Sequence, residues 1–452
     1  MNTATMTNNL ANNNDTSNTA TAEIVPAKRR LSNSTEKDKD KKRPTMSNSS
    51  SSSSSKPTLI DSEKMVHSCL SKYRPYFIVD DYSEETADSR RSTPNAADLK
   101  VTLEYPGARE EFLLLRPVLK TGKTAEDMDV EDKDEYNPIY DLMKSIRYIY
   151  EYYLTPEQRE RLGDDSQGIM RNLTKYRNRR NGNGFVKAVE DFNRVIRELK
   201  DNGEISRNAK AMRHPSYELA VHIMYQVYSR TVARQADALN NYQAFSNNVY
   251  GEINPTLIKE FIQKTRMNSR SVFMDMGCGI GNVVLQVAAQ TGCEAYGIEI
   301  MEVPCKYAKR QLREYAARMK AWKMPLGKVH FRQGDFLDLA ASGLHETLRR
   351  ADVVLVNNYA FDWQTNHGLA QLFLDLKEGA KVISLKSFVP KSHKINQRTF
   401  HMPESILRVK EYEYFSDAVS WTSNGGTYYI ATVDRSRLKP FYEGMYKDSS
   451  QQ

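Results

Sequence analysis

Apolar and polar positions divide the chain into three stretches of different rhythm. The first sixty residues are Asn-, Thr- and Ser-rich and carry the polyserine run Ser49 to Ser55. They offer almost nothing to bury, which predicts a disordered arm over residues 1–60. Beyond it, "YRPYFIVDDY" and "VTLEYPGAREEFLLLRPVL" mix aromatic and β-branched residues with turn formers and read as short strands. The acidic run Glu126 to Glu135 reads as an exposed loop. Helical spacing then takes over. In "YDLMKSIRYIYEYYL" apolar residues recur three and four apart, and Thr155-Pro156 marks a stop and a fresh start. Phe185, Val189, Phe192, Ile196 and Leu199 make one face of a second helix. Leu219, Ile223 and Val227 make one face of a third, with Ser216 in its N-cap region. Between the first two, "RNLTKYRNRRNGNG" reads as a basic, glycine-containing loop. Residues 61–245 are thus expected to form a mostly helical subdomain.

From Ser271 the rhythm changes again. "SVFMDM", "CEAYGIEI", "KVHFRQGDF", "DVVLVNN" and "KVISLK" are strand runs, the earlier ones separated by helical stretches. That alternation predicts an α/β domain over residues 246–440, built on a parallel, doubly wound sheet. "LRVKEYEYF" and "GTYYIATVDR" have no long helix between them and are expected to close it as an antiparallel hairpin, giving seven strands. Residues 441–452 read as a frayed end.

Composition adds a few constraints. Charged residues make up 27% of the chain, and the net charge of +8 favours a polyanionic partner. Four cysteines (Cys69, Cys278, Cys293, Cys305) show no metal-ligand spacing and suit a reducing compartment, so no metal is expected. No apolar run approaches a membrane span and no signal-peptide core opens the chain, so a soluble intracellular protein is expected, with no membrane partner. In the first sixty residues nine Lys/Arg face five Asp/Glu. The clusters Lys28-Arg29-Arg30 and Lys41-Lys42-Arg43 have the spacing of a bipartite nuclear-import signal, which predicts an import receptor and a nuclear location.

The candidate chemistry sits where the strands end, because ligands of open α/β sheets bind outside the carboxyl ends of the strands. After the first strand comes "DMGCGIG": Asp275, then Gly277, Gly279 and Gly281. These glycines allow a tight turn and a close approach to ligand at a helix N-terminus. Dinucleotide-binding enzymes use nearly the same turn. Glu299 ends the second strand, twenty-four residues after Asp275, where a carboxylate can accept two ribose hydroxyls. The third ends in "GDF", where Asp335 can hold an adenine amino group and Phe336 can pack on the purine. No hydride-transfer constellation follows, so the three strand ends together point to S-adenosylmethionine rather than NAD. The fourth ends in "VNNYAF", Asn357 to Phe361, where an amide with neighbouring aromatics suits an amine substrate. Trp421 and the pair Tyr428-Tyr429 can extend that wall or simply cover the sheet.

"VYGE" (Val249 to Glu252), "DMGCGIGNVVLQVAA", "YGIEI", "GDF", "VNNYAF", "VSWT" and "YY" occur here in an order and spacing that resemble the Dot-one histone methyltransferases. These disruptors of telomeric silencing are the lysine methyltransferases without a SET domain, and the long polar N-terminus is similar to their fungal form. The resemblance implies a class I, seven-stranded, Rossmann-like methyltransferase domain using S-adenosyl-L-methionine. It implies a nucleosomal substrate, lysine seventy-nine of histone H3, and a role in chromatin regulation. It also implies cofactor contacts at Tyr250, Gly251, Glu252 and Ile253, and along Phe273, Met274, Asp275, Met276, Gly277, Cys278, Gly279, Ile280, Gly281 and Asn282. Glu299, Asp335 and Phe336 complete that set. The lysine channel carries over onto Asn357, Phe361, Trp421 and Tyr428. Tyr359 stands where the family pattern has Phe, and Cys278 where a small residue varies.

The resemblance gives the basic residues a partner. Lys306, Lys309, Arg310, Arg313, Arg318, Lys320 and Lys323, with Lys386, Lys391, Lys394 and Arg398, form a basic surface that can face nucleosomal DNA or the acidic surface of the histone octamer, together with the N-terminal arm, although any one of them taken alone reads better as part of a solvated face. Two rival readings remain at this stage: a nucleic-acid or small-amine N-methyltransferase, and a chromatin-binding module with a degenerate cofactor site. "NNYAF" lacks the prolines that adenine methylation favours, which counts against the first.

Overall fold

The computed structural model describes residues 59–78, 99–118, 136–163, 167–235 and 251–443. The arm expected over residues 1–60 (as far as residue 58), the import clusters, the acidic run 126–135 and Tyr250 lie outside the described residues.

The N-terminal part opens with α1 (Ser62–His67) and β1 (Tyr73–Pro75), which pairs antiparallel with β4 (Leu115–Pro117). Between them β2 (Lys100–Glu104) and β3 (Arg109–Leu113) form a hairpin. Six helices follow: α2 (Pro138–Tyr153), α3 (Pro156–Glu160), α4 (Ile169–Asn178), α5 (Gly182–Asp201), α6 (Glu204–Ala211) and α7 (Tyr217–Thr231). The sequence signals for their starts have direct counterparts. Thr155 and Gln158 form a capping box at α3, and Ser216 Oγ accepts the Leu219 N–H at 3.2 Å at the start of α7. The loop expected at "RNLTKYRNRRNGNG" is corrected. Its first half is α4, because Ile169, Leu173 and Tyr176 fall on one face and dock on α5, where Gly184 leaves room for the Tyr176 ring. Only Arg179–Asn181 turn.

The second part contains the expected seven strands: β5 (Val272–Met276), β6 (Glu294–Glu299), β7 (Val329–Gln333), β8 (Val353–Val356), β9 (Lys381–Ser384), β10 (Leu407–Tyr414) and β11 (Gly426–Val433). Their order in the sheet is β10-β11-β9-β8-β5-β6-β7. The five strands β9-β8-β5-β6-β7 run parallel, and β11 enters antiparallel between β9 and β10. This is the doubly wound α/β class with its closing hairpin. Helices α8 (Pro255–Thr265), α9 (Asn282–Thr291), α10 (Glu302–Ala321), α11 (His345–Arg350) and α12 (Trp363–Leu372) cover the two faces. The strand β5 lies at the centre and is buried along its whole length. Alternation therefore sends Phe273 into one core and Met274 and Met276 into the other.

The first of these cores is continuous from the N-terminal helices to the sheet, running from Phe112 and Ile146 through Trp322 to Phe273 and Tyr428. A buried ionic network lies at the same junction. Arg230 of α7 donates to Asp141 of α2 (2.6 Å) and Glu110 of β3 (2.8 Å). Arg318 of α10 donates to the same Glu110 and, at 2.7 Å, to Glu314. Its Nη2 also reaches the Ile60 carbonyl at 2.8 Å. Arg318 had been expected on the nucleosome-facing surface. It is fully buried instead, because three carboxylates from two parts of the chain converge on the arginine pair.

Candidate active site

A cavity is made chiefly by loops at the carboxyl ends of β5, β6, β7 and β8. Parallel register brings those ends together: Met276 pairs with Ile298 and Val356, and Glu299 with Gln333. At the turn after β5, Gly277 (φ 87°), Gly279 (φ 54°) and Gly281 (φ 87°) occupy left-handed backbone that L side chains rarely adopt. A Cβ at Gly281 would also collide with the Phe331 ring. Gln311 of α10 pins the turn from below, donating to the Ile280 carbonyl (2.7 Å) and to Asn282 Oδ1 (3.0 Å).

Two buried carboxylates face this turn. Both oxygens of Glu299 already accept backbone N–H groups, from Gly279 (2.9 Å) and Met301 (2.8 Å), so its orientation is fixed while further lone pairs remain for ligand. Burial raises its pKa. Asp275 is pushed up to about 8 by burial and by the neighbouring Glu299 charge. Among the described residues, no basic side chain lines the cavity. A cationic ligand would relieve this pair of acids, and hydroxyls would suit Glu299. Asp335 also lines the cavity and is itself oriented by accepting the Leu337 N–H at 2.8 Å. Phe336 and Phe361 pack with ring centroids 5.5 Å apart and give the cavity an aromatic side.

Most of the residues predicted for the site do meet here. The lining comprises Gly251, Glu252, Ile253, Asp275, Gly277, Cys278, Gly279, Ile280, Asn282, Glu299, Asp335, Phe336, Asn357 and Phe361. The segment Gly251–Asn254 is held in place by the loop before β11. Ser420 N donates to the Glu252 carbonyl (2.9 Å), Glu252 N donates to Ser420 Oγ (2.8 Å), and Ile253 bridges Val419. Trp421 lies flat beneath Gly251, where a Cβ would strike its ring, and packs against Tyr359 at 5.5 Å. Gly281 shapes the turn without lining the cavity, and Phe273, Met274 and Met276 are core residues. Tyr428 lies elsewhere: it is fully buried against Phe261 and Tyr412, with its hydroxyl donating to Glu260 at 2.7 Å. Val283, Ile300, Met301, Pro304, Leu337, Leu355 and Thr365 line the cavity without having been singled out in the sequence. Several of them flank a predicted residue, which was the only signal available.

The paired asparagines of "VNNYAF" divide their work. Asn358 is buried and ties β8 to β9: its Oδ1 accepts the Leu385 (3.0 Å) and Lys386 (2.8 Å) N–H groups, and its Nδ2 donates to Asn366 (2.8 Å) and the Lys386 carbonyl (3.0 Å). Asn357 instead lines the cavity. Asn358→Ala is therefore expected to lower stability by about 1–3 kcal/mol by leaving buried backbone groups unpaired. Asn357→Ala should leave the melting temperature within a degree or two while lowering turnover. Thermal melts beside rate measurements separate the two.

A family model described as "Histone methylation protein DOT1" matches residues 228–433. The chain is 38% identical to an Aspergillus fumigatus protein described as "Histone-lysine N-methyltransferase, H3 lysine-79 specific", over 80% of this chain and 70% of that one. It is similar to proteins of the same description from Emericella nidulans (38% identical, 78% and 70% covered) and Gibberella zeae (40% identical, 77% and 72% covered).

Proposed function

Since the chain belongs to the DOT1 family of histone methylation proteins, we propose that it methylates lysine seventy-nine of histone H3 within the nucleosome, using S-adenosyl-L-methionine. The observation that carries this reading is the buried Asp275–Glu299 pair, lining a cavity that Asn357 and Phe361 also line. When bound, the cofactor supplies a methyl group activated by a positively charged sulfur. Glu299 would accept the ribose hydroxyls, Asp275 would balance positive charge, and Phe336 with Asp335 would hold the adenine. Asn357 orients the incoming amine through its amide oxygen. A free lysine amine has a pKa near ~10.4 and arrives protonated. Phe361, Tyr359 and Trp421 form an aromatic approach that disfavours the charged form by desolvation and holds the neutral amine in line. Tyr428 supports the hairpin from behind through its bond to Glu260.

The nuclear location and the nucleosomal partner belong to the same proposal. Lys306, Lys309, Arg313, Lys320 and Lys323 are exposed along and just beyond α10, and Lys386, Lys391, Lys394 and Arg398 are exposed after β9. They suit DNA phosphates or acidic histone surface and should make binding weaken steeply with salt. The two basic clusters of the arm suit an import receptor. Transfer of labelled methyl to intact nucleosomes, with none to free DNA, RNA or small amines, is the expected result. Labelling of nucleic acid alone would overturn the reading.

Asp275 adds a pH signature. A cation binds best to its ionised form, and with a pKa of about 8 the Asp275 carboxyl is mostly protonated at neutral pH before a cation binds. Cofactor binding should therefore release close to ~1 proton at pH 7, and affinity should rise up to ~10-fold per pH unit until about 8, then level off. Calorimetry in buffers of different ionisation enthalpy measures both. An affinity flat from pH 6.5 to 9, with no proton released, would exclude this account of Asp275.

A further inference from the structure

Trp363 is 72% exposed, more than any other large apolar side chain among the described residues. It sits on the first turn of α12, where Asp362 caps the helix by accepting the Thr365 N–H at 2.8 Å. Its indole is stacked on His367, one turn on, with centroids 5.1 Å apart and planes at 9°. An indole held flat against its own helix and open on its other face is a ready contact surface, and tryptophan is among the commonest anchors of protein interfaces. A second exposed aromatic, Tyr359 (48%), stands two residues before Phe361, packed on Trp421 and with the Lys386 ammonium 5.6 Å from its ring centre.

Placement decides what meets this indole. Trp363 is two residues from Phe361 and two from Thr365, and both of those line the cavity. Its Cα therefore lies within about 7.6 Å of each of theirs, two trans-peptide steps. A lysine side chain spans a similar length from Cα to amine. A polypeptide that delivers an amine to Asn357 thus brings its own surface over the mouth and within reach of the indole. We infer that the Trp363–His367 face of α12 is a substrate-docking lip, which packs on the folded histone surface around the target lysine. This inference rests on the nucleosomal reading of the cavity. A free amine would leave the lip uncovered.

The test compares Trp363→Ala and Trp363→Phe with the intact chain on reconstituted nucleosomes, measuring kcat and KM at saturating cofactor and the cofactor Kd by calorimetry. Trp363→Ala should raise the nucleosome KM at least tenfold, with cofactor Kd and melting temperature unchanged. Trp363→Phe should recover most of the loss. An unchanged KM with an active parent enzyme would overturn the lip and leave the function standing. An inactive parent enzyme would instead sink the function on which the lip rests. Loss of self-association in Trp363→Ala, with KM unmoved, would assign the face to a second copy of the chain and also overturn the proposal.

Discussion

Gly279→Arg is expected to remove methyl transfer to nucleosomes while the protein stays folded. Gly279 has φ 54°, lines the cavity and donates its N–H to Glu299. A non-glycine residue in left-handed backbone costs about 1–2 kcal/mol, too little to unfold a chain of this size. The larger effect is local. The new side chain enters the space the cofactor must fill, and its guanidinium can pair with Asp275 and Glu299 in place of the cofactor's positive charge. Activity should fall more than about a hundredfold, because even small displacements at a reacting centre cost that much. Calorimetry should show cofactor binding lost in parallel, with the circular dichroism spectrum retained. Binding and transfer at parental levels would remove this turn from the cofactor site.

Arg230→Met is expected to have the largest effect on stability. Arg230 is fully buried and donates to Asp141, Glu110 and the Tyr136 hydroxyl. Burial acts against the carboxylates, yet the arginines hold Glu110 and Asp141 below the usual carboxylate range. Methionine fills much of the volume but leaves Asp141 with no arginine partner among the described residues and Glu110 with Arg318 as its remaining one. Breaking a buried pair by removing one partner costs about 3–5 kcal/mol, a large part of the total stability of a domain. Denaturant titration should show the midpoint fall accordingly. Because the network joins β3, α2, α7 and α10, the loss should be felt across the junction rather than in one helix. A midpoint unchanged within error would mean the network adds nothing to the join.

The residues whose positions could be read from sequence share a physical property: their placement is local. The strands announce themselves as short apolar runs, and Asp275, Glu299 and Asp335 stand at or just beyond the ends of those runs, where α/β sheets bind ligands. Arg318 could not be read this way. On a helix rich in Lys and Arg it looked like one more surface charge, and its partner Glu110 lies 208 residues away. The helix α4 was hidden because three apolar side chains, Ile169, Leu173 and Tyr176, suffice to dock it among many polar ones. In "YY", alternation places neighbours on opposite faces, and the sequence does not say which face is which. The structure sends Tyr428 with Ile430 into the core beneath α8. The two asparagines after β8 posed the same problem, and only the hydrogen bonds of Asn358 distinguish them.

The central claim is that this cavity brings one folded-surface lysine to a methyl donor. It is tested most directly by tandem mass spectrometry of nucleosomes after incubation with the full chain and S-adenosylmethionine. The account predicts methylation at lysine seventy-nine of histone H3, absent with Gly279→Arg. Methyl groups on histone-tail lysines or on the DNA, with lysine seventy-nine unmodified, would contradict it.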